Sequence, residues 1–158
     1  MKDIDLNIRI RQCGMEELSH DDRLLVESAM KATAKSYSPY SHFCVGAALL
    51  LADGSVVTGA NQENAAFPSG LCAERTAIFA AQAQHPDQSV RAIAVAARSE
   101  SGYTAKPIAP CGACLQVMLE VEHRYGSPIR VLLYGTDGTY IIDRVKDMLP
   151  INFDAIPD

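Results

Sequence analysis

Val90-Arg91-Ala92-Ile93-Ala94-Val95-Ala96-Ala97 is an apolar run broken by a single arginine. Its length suits a buried strand better than a helix, and its neighbours decide the fold class. Ahead of it, residues 72–84 are alanine-rich and read as a helix. Behind it, residues 111–123 read as a second helix and Ile129 to Tyr134 as a second buried strand. Helix–strand–helix–strand alternation points to an α/β layered domain. Upstream, Phe43 to Leu51 is apolar, Asp53-Gly54 signals a turn, and Val56-Val57-Thr58 resumes, which predicts a β-hairpin. That hairpin makes the sheet mixed rather than purely parallel. Residues 16–36 have helical spacing, with Ser19 ahead of Asp21 and Asp22 as a start signal and Ser38-Pro39 as a stop. Near the other end, Asp137-Gly138 turns the chain into Tyr140 to Ile142, and a short helix over 144–149 ends at Pro150. With no internal repeat or long linker, 158 residues predict one domain over 1–158.

Composition narrows the function. Hydrophobic residues make up 48% and charged residues 21%, an ordinary globular mixture. A net charge of −5 without any basic run argues against a nucleic-acid surface, which needs clustered Lys and Arg. No stretch approaches the roughly 20 apolar residues of a membrane span, and Met1 to Gly14 lacks a signal-peptide core, so the expected location is cytoplasmic. Five cysteines is an odd number, and cytosolic thiols stay reduced; disulfides are the weaker explanation for them.

The cysteines that matter form a split set, Cys72-Ala73-Glu74 and then Pro110-Cys111-Gly112-Ala113-Cys114. Both motifs fall at predicted strand-to-helix junctions, where open α/β sheets place their ligands. Cys111 and Cys114, three apart at a helix start, present their sulfurs on one side of the first turn. Unpaired backbone N–H groups and the helix dipole stabilise thiolates there. Three thiols hold a zinc ion while its fourth position stays open for water. Three thiolates on a divalent zinc leave the site net negative, and Arg75 is placed in sequence to offset this. Glu74 would otherwise be a first-turn carboxylate favouring the dipole; beside Cys72 it reads as the acid–base group. Two other readings remain open at this point. A structural zinc node needs a fourth protein ligand, for which Cys13, Cys44 or His42 are available. A dithiol redox pair, Cys111 and Cys114, leaves Cys72 and Glu74 unexplained.

At these residues the sequence resembles the small, homotetrameric cytidine deaminases. A Cys₃ set with a nearby non-ligand Glu is a donor set of zinc deaminases. The resemblance covers roughly residues 17 to 153, leaving residues 1–15 as an unmatched extension. It runs through Tyr40-Ser41-His42-Phe43 with Val45-Gly46-Ala47-Ala48, then Asn61-Gln62-Glu63-Asn64, Cys72-Ala73-Glu74-Arg75-Thr76-Ala77, and Pro110-Cys111-Gly112-Ala113-Cys114 with Gln116. It implies a three-layer α/β/α sandwich around a five-stranded mixed sheet. It also implies zinc-dependent hydrolysis of cytidine and deoxycytidine to the uridines and ammonia, a step of pyrimidine salvage. Carried over by motif, Cys72, Cys111 and Cys114 are the zinc ligands and Glu74 shuttles the proton. Asn61 and Glu63 hold the ribose hydroxyls, and Phe43 lines the nucleoside pocket. Phe153 resembles a C-terminal aromatic that reaches a neighbouring subunit's site.

The chain departs from the family pattern at three places. Leu115 stands where Arg is usual, Cys44 where Pro is usual, and Phe67 where Tyr is frequent. Leu115 keeps open a relative acting on another aminopyrimidine nucleoside, such as the blasticidin S deaminases.

Overall fold

The computed structural model describes residues 1–154; the last positions of the expected 1–158 domain lie outside the described residues. The chain order is β1 (Arg11–Cys13), α1 (His20–Ala32), β2 (Cys44–Leu51), β3 (Val56–Ala60), α2 (Ala73–Gln84), β4 (Val90–Ser99), β5 (Gly102–Tyr103), α3 (Gly112–Tyr125), β6 (Arg130–Leu133) and β7 (Thr139–Ile142), with short 3₁₀ turns between. One sheet runs β1-β7-β6-β4-β2-β3, and β5 pairs with β4. The β4–β6 pair is parallel and the other pairs are antiparallel, so the sheet is mixed as the hairpin predicted.

Side-chain alternation explains the layers. In β4, Ala92, Ala94 and Ala96 face α1, whereas Ile93 and Val95 face α2 and α3. A strand covered on both faces reads as a continuous apolar run, which is why residues 90–97 carry so little polarity. The small alanines let α1 lie close. Gly46 and Gly59 bring the backbones closer still. A Cβ on Gly46 would stand 2.2 Å from the Ala29 carbonyl oxygen, and one on Gly59 would stand 2.5 Å from the Ala77 nitrogen. The result is three layers, α1 on one face and α2 with α3 on the other.

The strand count corrects the expectation of five. Among the described residues the sheet has seven strands, because β1 and β5 add short pairings to the five longer ones. Neither is long enough to show a period in sequence. The N-terminal extension is likewise not separate from the fold, since Arg11–Cys13 pairs antiparallel with β7. The helix expected over 16–36 is shorter. Ser19 caps it by accepting the Asp22 amide at 3.2 Å, and its flanks wind as 3₁₀ turns, Met15–Glu17 and Thr33–Lys35. The short helix near 144–149 is a 3₁₀ turn, Val145–Met148. A buried carboxylate ties this end together: Glu122 accepts the amides of Ile129 at 3.0 Å and Val145 at 2.7 Å. No described helix is long and apolar enough to cross a membrane.

Candidate active site

Two helix starts meet on the α2–α3 side of the sheet. Cys72 is the N-cap residue of α2 and Cys111 the N-cap residue of α3, both with extended backbone. Neither sulfur caps its own helix, so both are free to face each other. Cys114, one turn into α3, is fully buried. Cys72 Sγ lies 3.8 Å from Cys111 Sγ, which lies 3.4 Å from Cys114 Sγ. All three sulfurs fall within 4.8 Å of one another. A tetrahedral zinc with Zn–S bonds of ~2.3 Å spaces its sulfurs ~3.8 Å apart, so the cluster fits that ion. Among the described residues no fourth Cys, His, Asp or Glu joins the group. Cys44 instead sits 3.4 Å from Ser38 Oγ, and Cys13 packs beside α1. The fourth position required by a closed structural node is thus unfilled by protein.

The charges around the sulfurs are graded. Burial pushes the Cys114 thiol up, and the Glu74 charge adds to this. Burial also acts on Cys111, but hydrogen bonds from the Cys114 and Ala113 amides and the neighbouring thiols outweigh it, and that thiol titrates below its ordinary value. Arg75 Nη2 lies 3.7 Å from Cys72 Sγ, and its buried Nε has no partner among the described residues. Glu74 is 4% exposed. Burial raises its carboxyl above the usual carboxylate range, opposed by the Cys114 thiol and by the positive charge of Arg75.

A cavity of about 300 Å³ opens onto this cluster, with Phe43, Val45, Asn61, Glu63, Glu74 and Cys111 in its wall. The sequence-derived residues Phe43, Asn61 and Glu63 therefore converge with Glu74 and the thiols. Phe153 does not line the cavity. It is 65% exposed, and its carbonyl accepts Gln116 Nε2 at 2.7 Å. A larger opening, about 740 Å³, lies between residues 7–10 and Asp143, Arg144 and Asp147, away from every thiol, so volume does not locate the chemistry.

Asn61 and Glu63 are held in different ways. Asn61 Oδ1 accepts Ser36 Oγ at 2.6 Å and the Val45 amide at 2.8 Å, while its Nδ2 donates to the Phe43 carbonyl at 2.9 Å. Most of its amide is thus spent on the protein, with one N–H left over. Glu63 Oε2 accepts the amides of Tyr40 at 2.8 Å and Ser41 at 3.2 Å, which aims the carboxylate and leaves Oε1 open. The Ser41 hydroxyl, helped by the two amides, holds this carboxyl below its ordinary value. Sequence reasoning missed Ser36, Ser41 and the Tyr40 amide as the scaffold. Their partners lie about twenty residues away, and no local period announces such a pairing. Leu115 faces away from the cavity into an apolar pocket with Ile8, Ile10 and Tyr140. Phe67 meets Tyr40 edge to face at 5.6 Å.

A three-thiol cluster between two helix starts, with a buried carboxylate beside it, is a donor set of the zinc-dependent deaminases. The sequence profile of the cytidine and deoxycytidylate deaminase zinc-binding region matches residues 19–125. The chain belongs to the cytidine deaminase family of hydrolases, and its cofactor is zinc. A cytidine deaminase of Halalkalibacterium halodurans is 43% identical over 135 residues, spanning 85% of this chain and 96% of the relative. A cytidine deaminase crystal structure from Burkholderia pseudomallei superposes with a TM-score of 0.72 at 42% identity, covering 86% of this chain and all of that one. One from Mycobacterium tuberculosis gives a TM-score of 0.66 at 32% identity, covering 85% and 98%.

Proposed function

We propose that this chain deaminates cytidine and deoxycytidine hydrolytically, giving uridine or deoxyuridine and ammonia, and acts in pyrimidine salvage in the cytoplasm as a homotetramer. The observation that carries this reading is that the three-thiol cluster opens onto one cavity of about 300 Å³ that also has Glu74, Asn61 and Glu63 in its wall. Cys72, Cys111 and Cys114 are the zinc ligands. When bound there, zinc supplies a Lewis acid that makes water nucleophilic near neutral pH.

The rest of the chemistry falls to the protein. Glu74 takes the proton of the attacking water and delivers it to N3 of the pyrimidine as C4 is attacked. It then takes the second proton, from the hydroxyl now on C4, to the exocyclic amine, so that the C4–N bond breaks, ammonia leaves and the C4 carbonyl forms. Arg75 and the two helix N-termini offset the negative charge of three thiolates. Phe43 and Val45 pack against the base and keep bulk water from it. Glu63 accepts hydrogen bonds from the sugar hydroxyls through Oε1, and Asn61 offers its remaining N–H. Phe153, exposed on its own chain, contributes to the site of a neighbouring copy.

The test is ammonia release by the zinc-loaded protein on cytidine, deoxycytidine, cytosine and blasticidin S, with Glu74→Gln alongside. Turnover of the two nucleosides, lost in the variant, supports the reading. Silence on both nucleosides overturns it, and activity on blasticidin S alone moves the substrate to that analogue.

A further inference from the structure

Residues 3–11 read Asp-Ile-Asp-Leu-Asn-Ile-Arg-Ile-Arg. Ile4, Leu6, Ile8 and Ile10 alternate with Asp3, Asp5, Asn7, Arg9 and Arg11, the period of a strand with one apolar face. The polar positions are themselves ordered, with both acids before Asn7 and both arginines after it. Such a segment complements itself when reversed. In an antiparallel pair centred on Asn7, Asp3 faces Arg11, Asp5 faces Arg9, Ile4 faces Ile10 and Leu6 faces Ile8. An in-register parallel pair would instead set like charges together. A slip of one residue would set charged positions opposite apolar ones.

The structure leaves this segment able to pair. Ile4, Leu6, Ile8 and Ile10 are 81, 55, 46 and 54% exposed. Strand pairing on the segment's own chain begins only at Arg11, where β1 joins β7, and the other side of β1 is the open edge of the sheet. Residues 1–10 make no backbone hydrogen bond among the described residues. Ile8 and Ile10 share an apolar pocket of about 300 Å³ with Leu115, Tyr140 and Met148. These two residues thus reach the α3 layer, while Ile4 and Leu6 line no part of that pocket. Arg11 bridges Asp143, yet both side chains stay more than half exposed, so a second carboxylate has access to the guanidinium. An open edge bearing alternating apolar residues is a template for another chain. The charge order selects which chain.

We propose that the N-terminal segments of two copies of this protein pair antiparallel about Asn7, an isologous two-fold contact that continues the sheet from one copy into the next. The family profile begins at residue 19, so the contact belongs to this chain's own extension and does not rest on the catalytic reading.

Asn7 lies on the two-fold axis, which gives the test. The zinc-loaded Asn7→Cys protein, under mild oxidation, forms a disulfide-linked dimer on non-reducing electrophoresis. The parent and Asp3→Cys, whose two copies would sit far from the axis, do not. Adding Asp3→Arg and Asp5→Arg to Asn7→Cys abolishes the link, as does adding Arg9→Asp and Arg11→Asp. Mixing the two charge-reversed proteins restores it as a heterodimer. If Asn7→Cys links no better than Asp3→Cys, or if the charge-reversed proteins link as well as Asn7→Cys alone, the pairing is wrong. Circular dichroism and unchanged turnover confirm that the variants are folded.

Discussion

Arg75 Nη2 approaches Cys72 Sγ to 3.7 Å from one turn further along the same helix. The cation thus sits beside Cys72, with the buried Cys114 as its second thiol neighbour, and does not line the cavity that Glu74 faces. Arg75→Ala should retain zinc but lose about tenfold in kcat/KM, the scale of one charge-assisted hydrogen bond. Metal content by mass spectrometry with steady-state kinetics checks this. An unchanged rate would make Arg75 a surface residue of α2.

Glu74→Gln should keep its zinc and its fold while losing ~10²–10⁴-fold in kcat. The amide fills the same buried space but accepts no proton. Equal turnover in the variant would remove Glu74 from the proton path.

Cys114→Ala should lose both metal and stability. Cys114 is fully buried at the start of α3, and the binding energy of a metal held by protein ligands is also folding energy. Thermal melting with and without added zinc reads this. The wild-type curve should move upward with zinc and the variant curve should not. A fully metallated, active variant would contradict the ligand assignment.

Glu63→Ala should raise KM for cytidine about ten- to a hundredfold, with little change for cytosine, which has no sugar. Its hydrogen bonds hold the carboxyl below the ordinary range, so it is ionised throughout neutral and mildly acidic pH. The protonated form, and the KM rise it brings, should therefore appear only as pH falls below the usual carboxylate pKa. A KM inflection near pH 5 or 6 that vanishes in the variant would contradict this.

Glu122→Ala should destabilise the fold by about 3 kcal/mol, because the amides of Ile129 and Val145 lose a buried acceptor. Urea unfolding measures it, with kcat unchanged at temperatures where the variant stays folded.

The sequence made some of this legible and concealed the rest, for physical reasons. The β4 run, the alanine-rich α2 and the Asp53-Gly54 hairpin each carry a period or turn signal of their own, and each appears where expected. The meeting of the thiols and Glu74 in space was legible because the two motifs each open a helix on the same side of the sheet. Pairings at the sheet's margins were not. β1 and β5 are two or three residues long and gain their order from β7 and β4 rather than from any pattern of their own. Asn61 shows the limit at the site. Its motif pointed to the sugar, whereas its main hydrogen bonds go to Ser36, Phe43 and Val45, a scaffolding role that only the tertiary fold reveals.

Gly59 gives the sulfur cluster a mechanical boundary condition. Its missing Cβ would lie 2.6 Å from the Ala73 carbonyl oxygen, immediately next to Cys72 and Glu74. The bare backbone of β3 is therefore the seat on which the head of α2 rests, and Gly46 forms the matching seat for α1 on the opposite face. A single methyl at Gly59 acts as a wedge. Relieving that overlap requires the first turn of α2, and Cys72 at its head, to shift relative to β3. The tolerance of the metal centre is thus set by a residue that touches neither metal nor substrate and has no side chain with which to do so.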